Sequence, residues 1–506
     1  MSPRRLVRDT LGFAIAQYVV RGAFMLRGII AARLLGPSAY GAWNALMLVI
    51  EYGASSQMGT QQGLDRLMPQ RVVEGDRARA HRLERAGMFN VAVLALVYGA
   101  CVMAYFARQP GEVRGFWGMT GIALAILCVL LSNLAGAHLT LLRAHGDMRS
   151  VTGWFVLQAG VSVALGLGLI PWLGAWALLW GWLAGHLVGL VYARSRVPDR
   201  APGAPAWAPE SLELLRVGFA MFLYLWANLV LRTVDRLVVL RFEGAEALGL
   251  YTLGVMALTL VMNSTDSVCY VLYPKLLRVF TAEGHRPEAI RARVLRTLTV
   301  FAVSVPAVCS VIFIGAREAV MLVLPSFVEG AGALRVLCFG ALGLAVANLS
   351  SLVLMIMHRR VQLMAVALVP AAAGGALSVW ALKAGFGIQG VAWCMFATYV
   401  ATGALMLWLA ARALGLGAAG AAGVLARAHA PLGLGFALAV GLDRLMPAVA
   451  APGAWAGPAR VVLNAAVFLP LYVLAVRPLV RGLGMRRLLA EAGVPGFGPA
   501  PGGGEP

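Results

Sequence analysis

Apolar stretches of about 20 residues recur along almost the whole chain, and short polar segments separate them. A helix needs about this length to cross the hydrocarbon core of a bilayer. We therefore predict an all-α integral membrane protein with about 14 membrane-spanning helices. The thirteenth span has the poorest pattern, because Asp443 and Arg444 interrupt it and Pro431 lies near its start. The predicted spans are residues 10–35, 41–63, 87–107, 116–142, 151–170, 175–193, 217–241, 249–273, 294–315, 331–357, 362–383, 388–411, 430–449 and 459–480.

The order of features suggests an internal repeat. Residues 33–41 align with residues 241–249 at an offset of 208, and the segments that follow them correspond in order. Four prolines between residues 198 and 209 predict a linker between the two halves. Spans 1–6 and 7–12 would have the same orientation, and parallel repeats of this kind commonly bind substrate at their interface.

This repeat predicts four regions in the chain. They are an N-terminal six-helix lobe (1–215), a C-terminal six-helix lobe (216–411), two further helices (412–481) and a cytoplasmic tail (482–506) that is predicted to be disordered.

Composition and charge agree with a membrane protein and argue against a nucleic-acid partner. Only 13% of residues are charged, whereas about 25% is typical of soluble domains. The net charge is +20, but 29 of the 42 Lys and Arg residues lie in alternate connecting segments and only seven in the segments between. Positive residues concentrate in cytoplasmic loops, so this bias predicts that both termini are cytoplasmic. The six cysteines are scattered singly through apolar spans, without the spacing of a metal site.

Six arginines are predicted to lie inside or at the rim of the apolar spans. A cation at bilayer depth costs several kcal/mol unless it faces protein, water or an anion. Arg33 and Arg335 are close to helix ends, where we expect them to reach the lipid headgroups. The other four are predicted to face an internal cavity: Arg21, Arg27, Arg232 and Arg236.

Polar residues on spans 2, 7 and 8 share helix faces. At 100° per residue, Asn44 and Glu51 belong to a face about 40° wide on span 2. On span 8, Asn263 and Asp266 belong to a face about 60° wide. On span 7 the polar residues cover an arc of about 120°. They are Tyr224, Asn228, Arg232, Asp235 and Arg236.

The chemistry of these groups points to a phosphorylated ligand. Several separated guanidinium groups suit a phosphate or diphosphate, which each can bind through two hydrogen bonds. Two alternatives remain open: Asp235 forms a structural ion pair with its arginine neighbours, and Glu51 neutralises Arg27 or Arg21 from the next helix. Asp266 with Asn263 offers too few oxygens for a hard-cation site. The chain has no Walker-type motif for ATP.

Two segments resemble the polysaccharide-biosynthesis flippases of the multidrug/oligosaccharidyl-lipid/polysaccharide exporter superfamily. They are Ile-Ile-Ala-Ala-Arg-Leu-Leu-Gly-Pro-Ser-Ala-Tyr-Gly at 29–41, and Val-Asp-Arg-Leu-Val-Val-Leu at 234–240 followed by Leu-Gly-Leu-Tyr at 248–251. The resemblance implies two six-helix lobes in a V shape, as in multidrug exporters, with two extra C-terminal helices. It also implies that spans 1, 2, 7 and 8 line a cationic cavity, in which Arg21, Arg27, Arg232 and Arg236 meet a diphosphate.

We therefore expect the protein to flip an undecaprenyl-diphosphate-linked oligosaccharide across the bacterial inner membrane, for O-antigen, lipopolysaccharide or exopolysaccharide synthesis. Alternating access breaks no bond, so we expect neither an enzyme nor a cofactor. Polysaccharide polymerase and glycosyltransferases are candidate partners besides membrane lipids, and a proton or Na⁺ gradient is a candidate driving force. The glycan is predicted to contact Asn44, Gln57, Tyr224 and Asn228, and coupling is predicted to involve Glu51, Asp235 or Asp266.

Three rival functions remain. A lipid II flippase would use the same chemistry. A cation-coupled multidrug exporter on the same fold would need an acidic cavity, which the excess of arginine opposes. A membrane enzyme such as a polysaccharide polymerase or ligase typically carries a large outer loop, and none of the predicted outer connections exceeds about 16 residues.

Overall fold

A computed structural model of the protein describes residues 3–109, 115–357, 359–445 and 456–481. Within these ranges the chain forms fifteen α-helices and no β-strand. Two short 3₁₀-helices, Gly115–Trp117 and Pro325–Gly330, precede α4 and α10. The helices are α1 (Pro3–Ala54), α2 (Thr60–Glu74), α3 (Arg77–Ala107), α4 (Gly118–Ala144), α5 (Met148–Gly168), α6 (Ile170–Leu173), α7 (Trp176–Arg196), α8 (Pro209–Ala282), α9 (Glu288–Val323), α10 (Ala331–Leu337), α11 (Gly340–Ile356), α12 (Arg360–Lys383), α13 (Gly387–Ala413), α14 (Ala418–Leu445) and α15 (Ala456–Arg481).

The predicted fold class is confirmed. Ten helices in the described ranges are long and apolar enough to cross a membrane, or up to eleven when the bent pair Pro325–Leu337 and Gly340–Ile356 is taken as one span. The helix that contains the irregular thirteenth span begins earlier than predicted, since α14 starts at Ala418. The predicted disordered tail, 482–506, lies outside the described residues.

Two glycines break the two longest helices at equivalent places. α1 is interrupted at Gly36 (φ 73°) and α8 at Gly244 (φ 85°), so each contains two helical segments. A positive φ is a conformation that glycine adopts without the steric cost of a side chain. The two positions are 208 residues apart, which is the offset found between the two halves of the sequence.

The second segments of α1 and α8 touch through a reciprocal pair of glycines. A Cβ atom on Gly41 would lie 1.7 Å from the carbonyl oxygen of Ala245, and a Cβ on Gly249 would lie 2.1 Å from that of Pro37. Only glycine allows the two backbones to approach this closely. Gly41 and Gly249 are again 208 residues apart, so the repeat is structural as well as sequential.

The contacts divide the chain into two compact units. The first comprises Met1–Met256, Met321–Gly330 and Ala367–Val391, and the second comprises Ala257–Val320, Ala331–Val366 and Ala392–Pro506. The lobe boundaries predicted from the sequence, 1–215 and 216–411, stay a prediction.

Glycines also allow close packing of α5 on α7 within the first unit. A Cβ on Gly181 would lie 2.5 Å from the backbone nitrogen of Gly166, and a Cβ on Gly185 would lie 2.1 Å from the hydroxyl of Ser162. Gly168, two residues after Gly166 on α5, has no neighbour within 4 Å of its Cβ position. Small residues at such contacts let helices approach in a lipid environment, where apolar side chains alone supply little driving force.

Ion pairs hold the start of α8 against α3. Glu213 accepts hydrogen bonds from Arg79 at 2.9 and 3.2 Å, and Glu210 accepts one from Arg82 at 2.7 Å. The preceding segment, the predicted linker, is held by a hydrogen bond from the backbone N–H of Ala201 to Glu84. Asp199 in the same segment pairs with Arg77 at 3.2 Å, so the linker is fixed to α3 at two points.

Arg335, in the second unit, forms an ion pair with an acidic residue, whereas the sequence predicted that it extends to the lipid headgroups. Its guanidinium lies 3.0 Å from the carboxylate of Asp443 and 4.9 Å from the ring centroid of Phe313. Asp443 also pairs with Arg460, at 2.8 Å, and Arg460 lies 3.6 Å from Glu318. Asp443, the acidic residue that interrupts the thirteenth predicted span, is therefore the centre of an ion-pair cluster. The cluster joins α14 and α15 to α9 and α10.

Candidate functional site

Four arginines were predicted to form the site, and all four belong to the first unit. Arg21 and Arg27 lie before the break in α1, and Arg232 and Arg236 lie before the break in α8. Arg27 and Arg236 are buried, with 7% and 9% of their surface exposed, whereas Arg21 and Arg232 are partly exposed. Because the two buried cations have different surroundings, each is described separately.

Arg236 is neutralised by Glu51. The two nitrogens Nη1 and Nη2 of Arg236 donate to Oε1 and Oε2 of Glu51, at 3.3 and 2.8 Å. Glu51 therefore pairs with an arginine of α8, and the alternative in which it neutralises Arg27 is not what the structure shows. Because 31% of the Glu51 side chain is exposed, removing one partner should cost less than the roughly 3–5 kcal/mol of a fully buried pair.

A neighbouring hydrogen bond supports the Glu51–Arg236 pair. The hydroxyl groups of Tyr52 and Thr233 lie 2.7 Å apart, and Thr233 also donates to the backbone oxygen of Leu229. Sequence reasoning missed both residues. Tyr52 directly follows Glu51, and Thr233 directly follows Arg232. Their position next to a charged residue is the signal that could have identified them.

Asp235 joins the two segments of α8 across the break at Gly244. Its carboxylate accepts a hydrogen bond from the hydroxyl of Tyr251 at 2.6 Å and another from the backbone N–H of Arg236 at 2.8 Å. Only 1% of the residue is exposed. The interpretation of Asp235 as a structural residue is supported, although its main partner is a tyrosine rather than an arginine side chain.

Arg27 is surrounded by aromatic rings. The guanidinium carbon lies 5.0 Å from the ring centroid of Phe24, 5.1 Å from that of Trp182 and 5.7 Å from that of Trp43. No acidic side chain in the described part of the chain lies within ion-pair distance of Arg27, and Nη1 is buried without an acceptor. Each cation–π contact contributes about 0.5–2 kcal/mol, so the rings offset part of the cost of burying the charge. We call Phe24, Trp43 and Trp182 the aromatic cage.

Three predicted glycan-binding residues form local hydrogen bonds within their own segments. The Nδ2 atoms of Asn44 and Asn228 donate to the backbone oxygens of Tyr40 and Tyr224, four residues earlier in each case. Gln57 lies in the turn between α1 and α2, where it donates to Gln62 and accepts from the backbone N–H of Gln61. The fourth, Tyr224, is buried. Their role toward a glycan stays a prediction.

Asp266, the third candidate for coupling, belongs to the second unit. It accepts a short hydrogen bond from Nδ2 of Asn348, a residue that sequence reasoning did not single out. The hydroxyl of Ser351 donates to the backbone oxygen of Asn348 and helps to fix it. In the described ranges, no three His, Cys, Asp or Glu side chains are grouped so that they can hold a metal ion.

A cavity of about 300 Å³ lies elsewhere in the first unit. It is bounded by charged and titratable residues at the start of α3, the end of α4 and the linker, among them Arg77, His81, Glu84, His145 and Asp199. None of the predicted site residues lines it, so it is separate from the arginine site.

Comparison with solved structures places the fold. An inward-facing multidrug resistance MATE family transporter of the MOP superfamily is similar, with a TM-score of 0.66 and 13% identity over 79% of this chain and 98% of that one. An outward-facing multidrug resistance MATE family transporter of the MOP superfamily is also similar, with a TM-score of 0.58 and 14% identity over 81% of this chain and 95% of that one.

A third similar structure is a MOP superfamily transporter from Pyrococcus furiosus, for which a reversed polarity of the binding pocket suggested a different function. It gives a TM-score of 0.57 and 15% identity over 81% of this chain and 95% of that one. No curated protein is significantly similar to the chain in sequence. The model of one protein family, described as "Polysaccharide biosynthesis protein", matches residues 30–326, which is more than half of the chain. The chain therefore belongs to this polysaccharide biosynthesis protein family.

Proposed function

We propose that this protein flips a lipid-linked oligosaccharide, carried on undecaprenyl diphosphate, from the inner to the outer leaflet of the bacterial cytoplasmic membrane. The family supplies the link to polysaccharide synthesis, and the MATE-like fold supplies an architecture used for membrane transport. The polyprenyl tail stays in the lipid while the glycan and the diphosphate pass through the protein by alternating access, so no bond is broken.

The observation that carries this proposal is a pair of buried arginines: Arg27 lies in α1, which contains the first predicted span, and Arg236 lies in α8, which is apolar enough to cross a membrane. Arg27 and Arg236 lie where a cation costs several kcal/mol, and such residues in transporters generally mark the path of an anion. A diphosphate that crosses a medium of low dielectric constant needs nearby cations to offset the cost of its negative charge. A cationic drug gains nothing from it, so the multidrug exporters of similar fold are a poor guide to the substrate.

The coupling ion and the partners follow from the same proposal. Glu51, Asp235 and Asp266 are the acidic groups that could bind a proton during the cycle, since each is buried or partly buried in a spanning helix. Candidate partners are the glycosyltransferases that build the repeat unit and the polymerase that extends it. We infer an inner-membrane protein with cytoplasmic termini, divided into lobes near residue 215.

Mass spectrometry of lipid-linked glycans in a deletion strain tests the proposal. We expect undecaprenyl-diphosphate-linked repeat units to accumulate and surface polysaccharide to fall, and wild-type protein should reverse both. Arg27→Ala and Arg236→Ala, at equal expression, should fail to restore export. Accumulation of lipid II instead would identify a lipid II flippase. An unchanged lipid-linked pool, with increased sensitivity to cationic drugs, would refute the proposal in favour of a drug exporter.

A further inference from the structure

Two short 3₁₀-helices occupy equivalent places in the two halves of the chain. Gly115–Trp117 precedes α4 and Pro325–Gly330 precedes α10, and we call them the first and the second connection. Each carries a buried aromatic ring, since Trp117 is 6% exposed and Phe327 is 0% exposed. The two rings are 210 residues apart, which is close to the offset of 208 that relates the halves.

Each connection rests on the second helical segment of its own half, at an equivalent carbonyl group. Nε1 of Trp117 donates to the backbone oxygen of Ala42 at 2.7 Å, and its ring contacts that of Trp43. A Cβ on Gly330 would lie 2.4 Å from the backbone oxygen of Leu250. Ala42 and Leu250 are 208 residues apart, so these two contacts correspond in the repeat. Both contacts stay within one half.

Phe327 departs from this symmetry because its ring reaches the other half of the chain. It packs edge-to-face on Tyr40, with the ring centroids 6.2 Å apart and the planes at 74°. Tyr40 is 5% exposed and directly precedes Gly41, whose backbone contacts that of Ala245. The ring contact therefore joins the halves at the end of α1 and α8 where the glycine breaks lie.

Burial of this ring stabilises the contact in a way that the glycines do not. Ser326 and Glu329 lie on either side of Phe327 and are exposed. Apolar side chains gain little from mutual burial within a bilayer, but at a helix end that meets water they gain the hydrophobic free energy. An aromatic ring buries about 150–250 Å². The contact of Gly41 with Ala245 is made by backbone atoms and buries no large side chain.

We propose that Phe327 and Tyr40 form a latch between the two halves. The latch is closed in this structure and holds the ends of α1 and α8 together, and it opens when alternating access exposes this end of the helices. The distribution of arginines predicts that this is the outer side, so the closed latch prevents a substrate from leaving toward the outer leaflet. The inference rests on the proposed function, since a transport cycle requires the same contact to form and to break.

Distances between two spin labels on the purified full-length protein in lipid nanodiscs test the latch. Ser38 and Glu246 are exposed, equivalent in the repeat, and close in sequence to the residues of the glycine contacts. Labels on Ser38→Cys and Glu246→Cys, with the exposed Cys101 replaced, should give mainly one short distance. Phe327→Ala should increase the population of a longer distance about tenfold or more, because the open state no longer has to expose the ring.

Phe386→Ala is the matched control. Phe386 lies in the connection between α12 and α13 and is 59% exposed, so its loss should leave the distances as in the wild type. If Phe327→Ala does not fold, Phe327→Leu and Tyr40→Leu carry the test, since each keeps an apolar side chain but loses the contact between rings. We expect each to increase the longer distance by about two- to fivefold.

A purely structural role for Phe327 would give a different pattern. In that case its substitution lowers the unfolding temperature, measured on the same samples, and leaves the distances unchanged, which would overturn the latch. Cross-linking the Ser38→Cys and Glu246→Cys variant with a short bismaleimide should stop polysaccharide export in cells, and a monofunctional maleimide should not. Continued export by the cross-linked protein would also overturn the latch.

Failure of this inference is distinguishable from failure of the proposed function. Unchanged distances in Phe327→Ala overturn the latch, while accumulation of lipid-linked repeat units in the deletion strain still supports the flippase. An unchanged lipid-linked pool refutes the flippase, whereas the distances between the labels still report whether the latch exists.

Discussion

At the scale of single residues, the two buried arginines show two different ways of stabilising a cation in a predicted membrane helix. Arg236 has a carboxylate from another helix, and Arg27 has three aromatic faces. An ion pair fixes a charge and neutralises it, whereas a cage fixes the charge and leaves it unneutralised. Both arrangements keep a buried cation in place, but of the two only Arg236 has an acidic partner among the described residues.

The Glu51–Arg236 pair should be visible as a coupling between two mutations. Glu51→Gln leaves the guanidinium uncompensated, and we expect it to destabilise the protein by about 2 kcal/mol, at the low end for buried pairs because 31% of the Glu51 side chain is exposed. Adding Arg236→Gln should recover most of this loss. Thermal unfolding of the four proteins in detergent measures the coupling, and strictly additive effects would show that the pair contributes nothing.

The sequence identified the charged members of the site but not their pairing. Periodicity placed Glu51 on a polar face, yet a helical wheel holds no information on which neighbouring helix that face meets. The pairing of Glu51 with Arg236 was therefore not among the alternatives drawn from the sequence. Phe24, Trp43 and Trp182 were missed for a related reason, since aromatic residues in an apolar span do not stand out until a cation is found between them.

At the scale of helices, the glycine pair Gly41 and Gly249 determines how closely α1 and α8 approach. The same offset of 208 residues relates these two glycines and the breaks at Gly36 and Gly244. The sequence carried this relationship in the alignment of 33–41 with 241–249. The alignment did not reveal that the two segments contact one another, because a sequence repeat shows which positions are equivalent but not which positions are in contact.

Replacing Gly41 with alanine should be far more damaging than the same change elsewhere in α1. The new Cβ would lie 1.7 Å from the carbonyl oxygen of Ala245, and since backbone cannot yield like a side chain, we expect a loss of about 3 kcal/mol or more. Gly22 is the control: its Cβ position has no neighbour within 4 Å, so Gly22→Ala should be neutral or stabilise by up to about 1 kcal/mol. Unfolding temperatures that shift equally in both variants would contradict the contact.

The ion-pair cluster at Asp443 makes a separate prediction for α14 and α15. Asp443→Asn removes the carboxylate that Arg335 and Arg460 share, so both cations lose their nearest partner. We expect a loss of about 2 kcal/mol and faster hydrogen exchange in α14 and α15. Arg444→Gln, at the next position and exposed, is the control and should leave both measurements unchanged. Equal exchange in the two variants would mean that the cluster does not hold these helices.

At the scale of the whole molecule, the hydropathy of the sequence was sufficient for the fold class, because a bilayer imposes the same length on every span. The family resemblance correctly predicted a fold like that of the multidrug exporters, since the solved MATE structures are similar. Neither source shows which segments form compact units. Residues 321–330 and 367–391 join the first unit although they follow the linker by more than a hundred residues, and such long-range contacts leave no local pattern in a sequence.

The distribution of arginines predicts the orientation of the whole chain, and two cysteine variants test it. Ala204 lies in the arginine-rich linker and Ala384 in the short connection between α12 and α13, and both are exposed. Since positive segments stay on the cytoplasmic side, a membrane-impermeant maleimide should label Ala384→Cys in intact cells and Ala204→Cys only after permeabilisation. Both variants need a background in which the exposed Cys101 is replaced. The reverse labelling would invert the topology, and with it the direction in which the buried arginines could pass an anion from leaflet to leaflet.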